Sequence, residues 1–283
     1  MDLAIQLVVS GLLAGAPYAL AAWGAAVTLG MGVLNLTLGA FFTLGAYLAL
    51  AATNRGFPAF CGAAPAAAAA LVLGLCIERV FVRPLRPWPL ASALVLLGVA
   101  VLSEGFFQLV WGPADLSVPL RLPVLQIEHV VVAGSELFVT AGATLAVIGL
   151  LALARRTRAG IAFAAVAENS EIAASAGVHV ERLRTWAFAA GCAAAAAAGA
   201  LTSPNSPLSP SMGRAALLFS LAAAAAGGPG LGGLLAASLA LGVVTNSSAG
   251  YMAPQWGVVV PALVFAGAVA WRRSPLWQRG ARA

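Results

Sequence analysis

The residues able to do chemistry are few and scattered. The chain of 283 residues holds fifteen Arg and no Lys, nine acidic residues and two His, for a formal net charge of +6. Without Lys there is no Schiff-base amine and no phosphate-binding G-x-x-x-x-G-K-[ST] loop, so this chain cannot hydrolyse ATP through that motif. It has no H-E-x-x-H, no G-x-S-x-G and no carboxylate pair within one apolar segment. Cys61, Cys76 and Cys192 stand in apolar runs without a C-x-x-C, so neither a metal site nor a disulfide is expected.

Four polar features remain. Glu104 and Gln108 are four residues apart in an apolar stretch and share a helix face. A carboxylate inside the membrane is a functional-site candidate by default, with a hydrogen-bonded contact between helices as the alternative. Asn35, Thr37 and Gly39 lie in NLTLGA, where they could line a translocation path or break a helix. Glu78 abuts Arg79 and is expected to snorkel or pair there. GGPGLGG matches G-x-G-x-x-G through Gly228, Gly230 and Gly233. No acidic residue follows Glu181, which argues against a dinucleotide. A tight turn is expected instead, with Gly228 and Gly232 as a G-x-x-x-G helix-packing pair.

The most specific feature is AENSEIAASAG at 167–177. Asn169 is a good N-cap, and Glu171 in the first turn complements the helix dipole. Ile172, Ala173 and Ala176 are expected on one face of small residues. Gly177 supplies the left-handed position that ends the helix. A helix of about two turns is unstable alone in water, so the membrane domain or a partner must hold it. Glu168 precedes the cap, has no dipole role, and is the better candidate for a partner contact.

The elements that position these residues follow from where charge is missing. Hydrophobic residues make up 61% of the chain and charged residues 8%, against about 25% charged in a soluble domain. No Asp, Glu, Lys or Arg occurs in 3–54, 56–77, 87–103, 137–154, 185–213 or 215–271. A bilayer core of about 30 Å takes about 20 apolar residues per helical crossing. The runs lack the alternation of a membrane barrel, so spanning strands are not expected. The fold class is an all-α polytopic membrane protein of about eight or nine transmembrane helices, with spans at 3–30, 33–52, 59–77, 88–111, 136–154, 186–202, 214–227, 231–249 and 256–271. Span 214–227 is short and could be a half-helix. Residues 1–283 form a single transmembrane domain, with a loop at about 155–185.

The arginines fix the orientation. Arg79, Arg83 and Arg86; Arg155, Arg156 and Arg158; and Arg272, Arg273, Arg279 and Arg282 are all cytoplasmic if the N-terminus is external and the chain crosses nine times. That places 112–135 and 203–213 outside, and His129 and His179 on opposite sides. The same reading assigns the high isoelectric point to membrane topology, with no nucleic-acid partner. Asp2 and the length of the first apolar run argue against a cleaved signal.

The run AFAAVAENSEIAASAGVHVERLRTWAFAAGCAAAAAAGAL resembles the conserved loop and following span of ATP-binding-cassette permeases for branched-chain amino acids. Ala162, Ala165, Ala167, Glu168, Asn169, Ala173, Gly177 and Val178 fit that family's pattern. G-x-x-Y-A-L from Gly15 to Leu20, with Tyr18, resembles its N-terminal signature, and GGPGLGGLLAASLALGVV its Gly-rich late span. Ala164 replaces an Arg, and Leu36 replaces the aromatic residue after Asn35. The resemblance implies a channel-forming subunit of the bacterial inner membrane with no cofactor of its own, ATP and Mg²⁺ being bound by partners. Those partners would be a homologous permease, expected as a heterodimer, two cytoplasmic ATPase subunits, a periplasmic substrate-binding protein and membrane lipid. The loop would be the coupling helix that docks on the ATPase. An ion-coupled secondary transporter and a sugar permease are the competing readings.

Overall fold

A computed structural model describes residues 2–118, 124–127, 130–228, 230–251 and 256–272. Each expected span becomes a helix: α1 (Asp2–Gly30), α2 (Leu38–Asn54), α3 (Ala63–Ile77), α4 (Pro89–Trp111), α5 (Gly134–Arg156), α8 (Val180–Thr202), α9 (Met212–Gly227), α10 (Leu231–Tyr251) and α11 (Trp256–Arg272). Within the expected cytoplasmic loop lie α6 (Arg158–Glu168) and α7 (Ser170–Ser175). A 3₁₀ turn at Ala59–Gly62 leads into α3, and a π-helical turn at Glu78–Val82 follows it. Among the described residues, five helices are long and apolar enough to span a bilayer, and four more apolar helices are shorter. α9 is one of the short ones. Its 16 residues rise about 24 Å, less than the hydrocarbon core, and its neighbours bury Phe219 and Leu221–Ala225.

Among the described residues, strands occur outside the spans only. β1 (Val124–Ile127) and β2 (Val130–Ala133) form an antiparallel hairpin before α5, pairing Val124 with Ala133 and Ile127 with Val130. Arg121, Glu128 and His129 lie outside the described residues, as do Pro229 of the Gly-rich turn and Arg273, Arg279 and Arg282. Leu116 and Leu208 form an isolated antiparallel bridge, which brings the two segments expected outside the membrane to one end of the bundle.

The core is built of alanine and glycine because lipid supplies no hydrophobic drive between helices; close packing does the work instead. Helix α8 is the centre. Its inner residues, Ala187–Ala189, Cys192, Ala194–Ala196 and Ala198–Ala200, are buried against α1, α2 and α3. A methyl group on Gly24 would stand 2.5 Å from the Gly191 carbonyl oxygen, so α1 and α8 meet backbone to backbone. Methyl groups on Gly45 and Gly199 would overlap the carbonyls of Ala196 and Phe42. Tyr18, from the N-terminal signature, lies between Phe42 of α2 and Phe219 of α9, with ring centroids 5.6 and 4.5 Å away.

The Gly-rich turn differs from the sequence expectation in one respect. Gly228 makes the turn, with φ +70°. The close contact, however, is Gly227 against Gly233 and Leu234, while Gly230 and Gly232 face open space. The pair brought together by folding α10 back on α9 is therefore Gly227 and Gly233. The expected G-x-x-x-G pair, Gly228 and Gly232, does not pack, because the three-residue turn rotates Gly232 outward.

Candidate functional site

The loop after α5 is held at each joint by a specific hydrogen bond. The Thr157 hydroxyl accepts from the Gly160 N–H (3.1 Å) and starts α6. Asn169 ends α6 and begins α7. Its N–H donates to the Ala165 carbonyl at 3.0 Å. Its Oδ1 accepts from the N–H groups of Glu171 (3.0 Å) and Ile172 (3.1 Å). At the far end Gly177 has φ +85°. Its N–H reaches the Ala174 carbonyl at 3.0 Å, and the Val178 N–H reaches that of Ala173 at 3.1 Å. Those two bonds make a Schellman cap. The capped helix read from AENSEIAASAG is present, with the boundaries its Asn and Gly predict.

Its orientation needs correcting. Ala173 is buried at 4% exposure in a cluster with Val27, Met31, Val166 and Ala187. Ile172 is 66% exposed, and Ala176 is exposed too. Successive helical residues are turned about 100° apart. Ile172 and Ala176 therefore face outward, while Ala173 faces the membrane domain. The helix is held from one side and presents the other. Glu168 and Glu171 are exposed beside it and, with Gly30–Gly32 and Arg184, border a cleft of about 500 Å³.

An ion-pair chain that the sequence did not reveal runs from this loop into the bundle. Glu78 is buried at the end of α3, with 1% exposure, and pairs with Arg86. It neither snorkels nor pairs with its neighbour Arg79. Arg86 also pairs with Glu181, in the first turn of α8, and Arg184 lies 3.5 Å from Glu181. Burial lowers the Arg86 pKa below the ordinary arginine value, against the opposing pull of Glu78. Arg86 and Glu181 are far apart in sequence, and no periodicity links them.

The remaining candidates lie elsewhere. Asn35 and Thr37 are fully buried. The Thr37 N–H and hydroxyl both donate to Asn35 Oδ1, at 3.0 and 2.6 Å, and Asn35 Nδ2 reaches Cys192 Sγ at 3.4 Å. Gly39 meets Gly213 of α9 backbone to backbone. These contacts start α2 and seat it. Glu104 accepts from Arg214 Nε at 2.8 and 3.1 Å, joining α4 to α9, while Gln108 is exposed. Among the described residues, no three His, Cys, Asp or Glu come together as metal ligands.

A family described as branched-chain amino acid transport system / permease component matches residues 7–269. The chain belongs to this family. It is 29% identical over 282 residues to the high-affinity branched-chain amino acid transport system permease protein LivH of Escherichia coli K12, covering 90% of this chain and 89% of LivH. It is 28% identical over 278 residues to the corresponding permease protein BraD of Pseudomonas aeruginosa, covering 90% of each. No solved structure gives a significant match. As a member of this permease family the chain is a multi-pass membrane transport subunit, not an enzyme.

Proposed function

We propose that the chain is the permease subunit of an ATP-binding-cassette importer. It would form the translocation path for branched-chain amino acids, or a related small polar solute, delivered by a periplasmic binding protein. The observation that carries this reading is α7: capped at both ends, anchored inward by Ala173, and presenting Ile172, Ala176, Glu168 and Glu171 outward. An exposed isoleucine beside two carboxylates, on a helix too short to stand alone, suits a groove on a second protein. The names carried by LivH and BraD support the substrate class.

On this reading a homologous permease completes a heterodimer, two ATPase subunits bind ATP and Mg²⁺, and α7 docks on one of them. The N-terminus is periplasmic and the C-terminus cytoplasmic in the inner membrane. Glu104 and Gln108 of α4 remain the path candidates. Asn35, Thr37 and Gly39 are assigned to seating α2.

Co-purification with the ATPase encoded beside the chain tests the assignment. Gly177→Pro and Glu168→Arg should each abolish stable association and transport. Assembly and uptake that survive both would count against it. Uptake that persists in vesicles without ATP, and collapses with the ion gradient, would favour an ion-coupled carrier instead.

A further inference from the structure

Arg86, the middle of the Glu78–Arg86–Glu181 chain, borders a cavity of about 140 Å³ that the docking role does not use. Its walls are the α1–α2 connection at residues 31–34, then Arg86, Pro89 and Ser92, and finally Arg184 from α8. Three buried donors around it lack partners: Ser92 Oγ, Arg86 Nε and Arg184 Nε. Ser92 is only 7% exposed. Buried polar groups in native proteins are almost always satisfied, so unpaired donors lining one cavity call for an acceptor-rich occupant. Glu78 Oε2 is also unpaired, but Glu78 does not line the cavity.

Charge points the same way. Three guanidiniums, Arg86, Arg184 and the nearby Arg83, stand against two carboxylates, Glu78 and Glu181. The position adds a third argument. The cavity sits at the arginine-rich end of the bundle, where Trp88 is 65% exposed and Leu90 76% exposed beside it. An exposed Trp followed by exposed aliphatic residues marks the membrane interface. Basic pockets between helices at that depth suit phosphate-bearing head groups.

We propose that this cavity binds a phosphate oxyanion, held by Arg184, Arg86 and the Ser92 hydroxyl. The phosphate can belong to a phospholipid head group or be free in the cytoplasm. Its ligands come from α4, α8 and the turn before α4, so the bound group braces the base of the docking loop. The site does not depend on the importer assignment.

The test uses the full-length chain, purified in a phosphate-free maltoside detergent. Its thermal unfolding midpoint is measured with inorganic phosphate, with short-chain phosphatidylglycerol and with a short-chain diacylglycerol that lacks phosphate. The midpoint should rise by several degrees with a phosphate source and not with the diacylglycerol. A rise with the phospholipid alone identifies a head group; a rise with inorganic phosphate as well identifies a free-anion site. Ser92→Leu, which fills the cavity, and Arg184→Gln should each abolish or sharply reduce the rise. If Arg184→Gln does not fold, Ser92→Leu, which keeps every ion pair, decides. The proposal is overturned if neither phosphate source raises the midpoint, if the diacylglycerol raises it equally, or if the folded variants respond like the wild type.

Discussion

Asn169→Ala isolates what the cap of α7 contributes. The substitution removes the acceptor for the N–H groups of Glu171 and Ile172, which lie 3.0 and 3.1 Å from Asn169 Oδ1. Loss of an N-cap side chain costs about 1 kcal/mol. The inward anchor of the helix is the one methyl group of Ala173, and burial of a methyl contributes about 0.8 kcal/mol. The cap is thus as large a term as the packing that holds a six-residue helix. Its loss should raise the open population of α7 about fivefold, since about 1 kcal/mol is a factor of about 5.

Hydrogen exchange reads this directly, at amides whose own bonds the substitution leaves alone. The Ala173 N–H donates to the Asn169 carbonyl and the Ala176 N–H to that of Ile172. Both should exchange about fivefold faster in Asn169→Ala, on the same 1 kcal/mol. The amides of buried α8 should not change. Coupled transport should fall in parallel. Asn169→Asp keeps a capping oxygen and should restore both exchange and transport. Unchanged exchange at Ala173 and Ala176 would refute the capping argument. An Asp variant as impaired in transport as the Ala variant, with exchange restored, would show that the Asn169 side chain acts on a partner and not on its own helix.

Ile172→Glu should abolish ATPase association while the unfolding midpoint of the isolated chain stays where it was, because Ile172 is 66% exposed. Gly199→Ala places a methyl group onto the Phe42 carbonyl and should lower the midpoint strongly, at a cost of about 1–3 kcal/mol or more. Gly98→Ala in α4, with nothing within 4 Å of the added carbon, should be neutral in the same assay. Arg86→Gln leaves Glu78, 1% exposed, without its cation and should cost about 3–5 kcal/mol. Glu78→Gln in the same chain should recover much of that loss, and equal midpoints for the single and double variants would argue that the pair carries no stability.

The spans were legible because membrane insertion writes them in one variable, the absence of charge, and each of the nine expected spans became a helix. The ends of α7 were legible because Asn169 and Gly177 act through their own local backbone. Contacts between distant residues left no such trace. Arg86 meets Glu78 across the turn after the π-helical segment and Glu181 across four helices. Helix α6 is not legible in the sequence because Arg155, Arg156 and Arg158, at the joint between α5 and α6, read as a topogenic cluster. The Gly227–Gly233 contact spans a turn, so a pattern defined along one helix selected the wrong glycines. The inward turn of Ala173 was missed for a related reason: three small residues do not say which of them the core will take.

The ion-pair chain and the glycine contacts converge on α8, and that bears on how a push on α7 would travel. Only Ala176–His179 separate α7 from α8. Two turns of α8 then carry Glu181, bound to Arg86, and Ala187, which shares a buried cluster with Ala173. Further along, Gly191, Ala196 and Gly199 touch the backbones of α1 and α2 with no side chain between. Side chains can absorb a displacement by changing rotamer; backbone-to-backbone contacts cannot. A movement of α7 is therefore delivered to α8, and α8 can pass it to α1 and α2 only as a shift of whole helices. Arg86 gives the α3–α4 turn the same motion through a pair whose breakage would leave Glu78 buried and unpaired. Rigid transmission through a deeply buried helix is what a subunit driven at α7 would require.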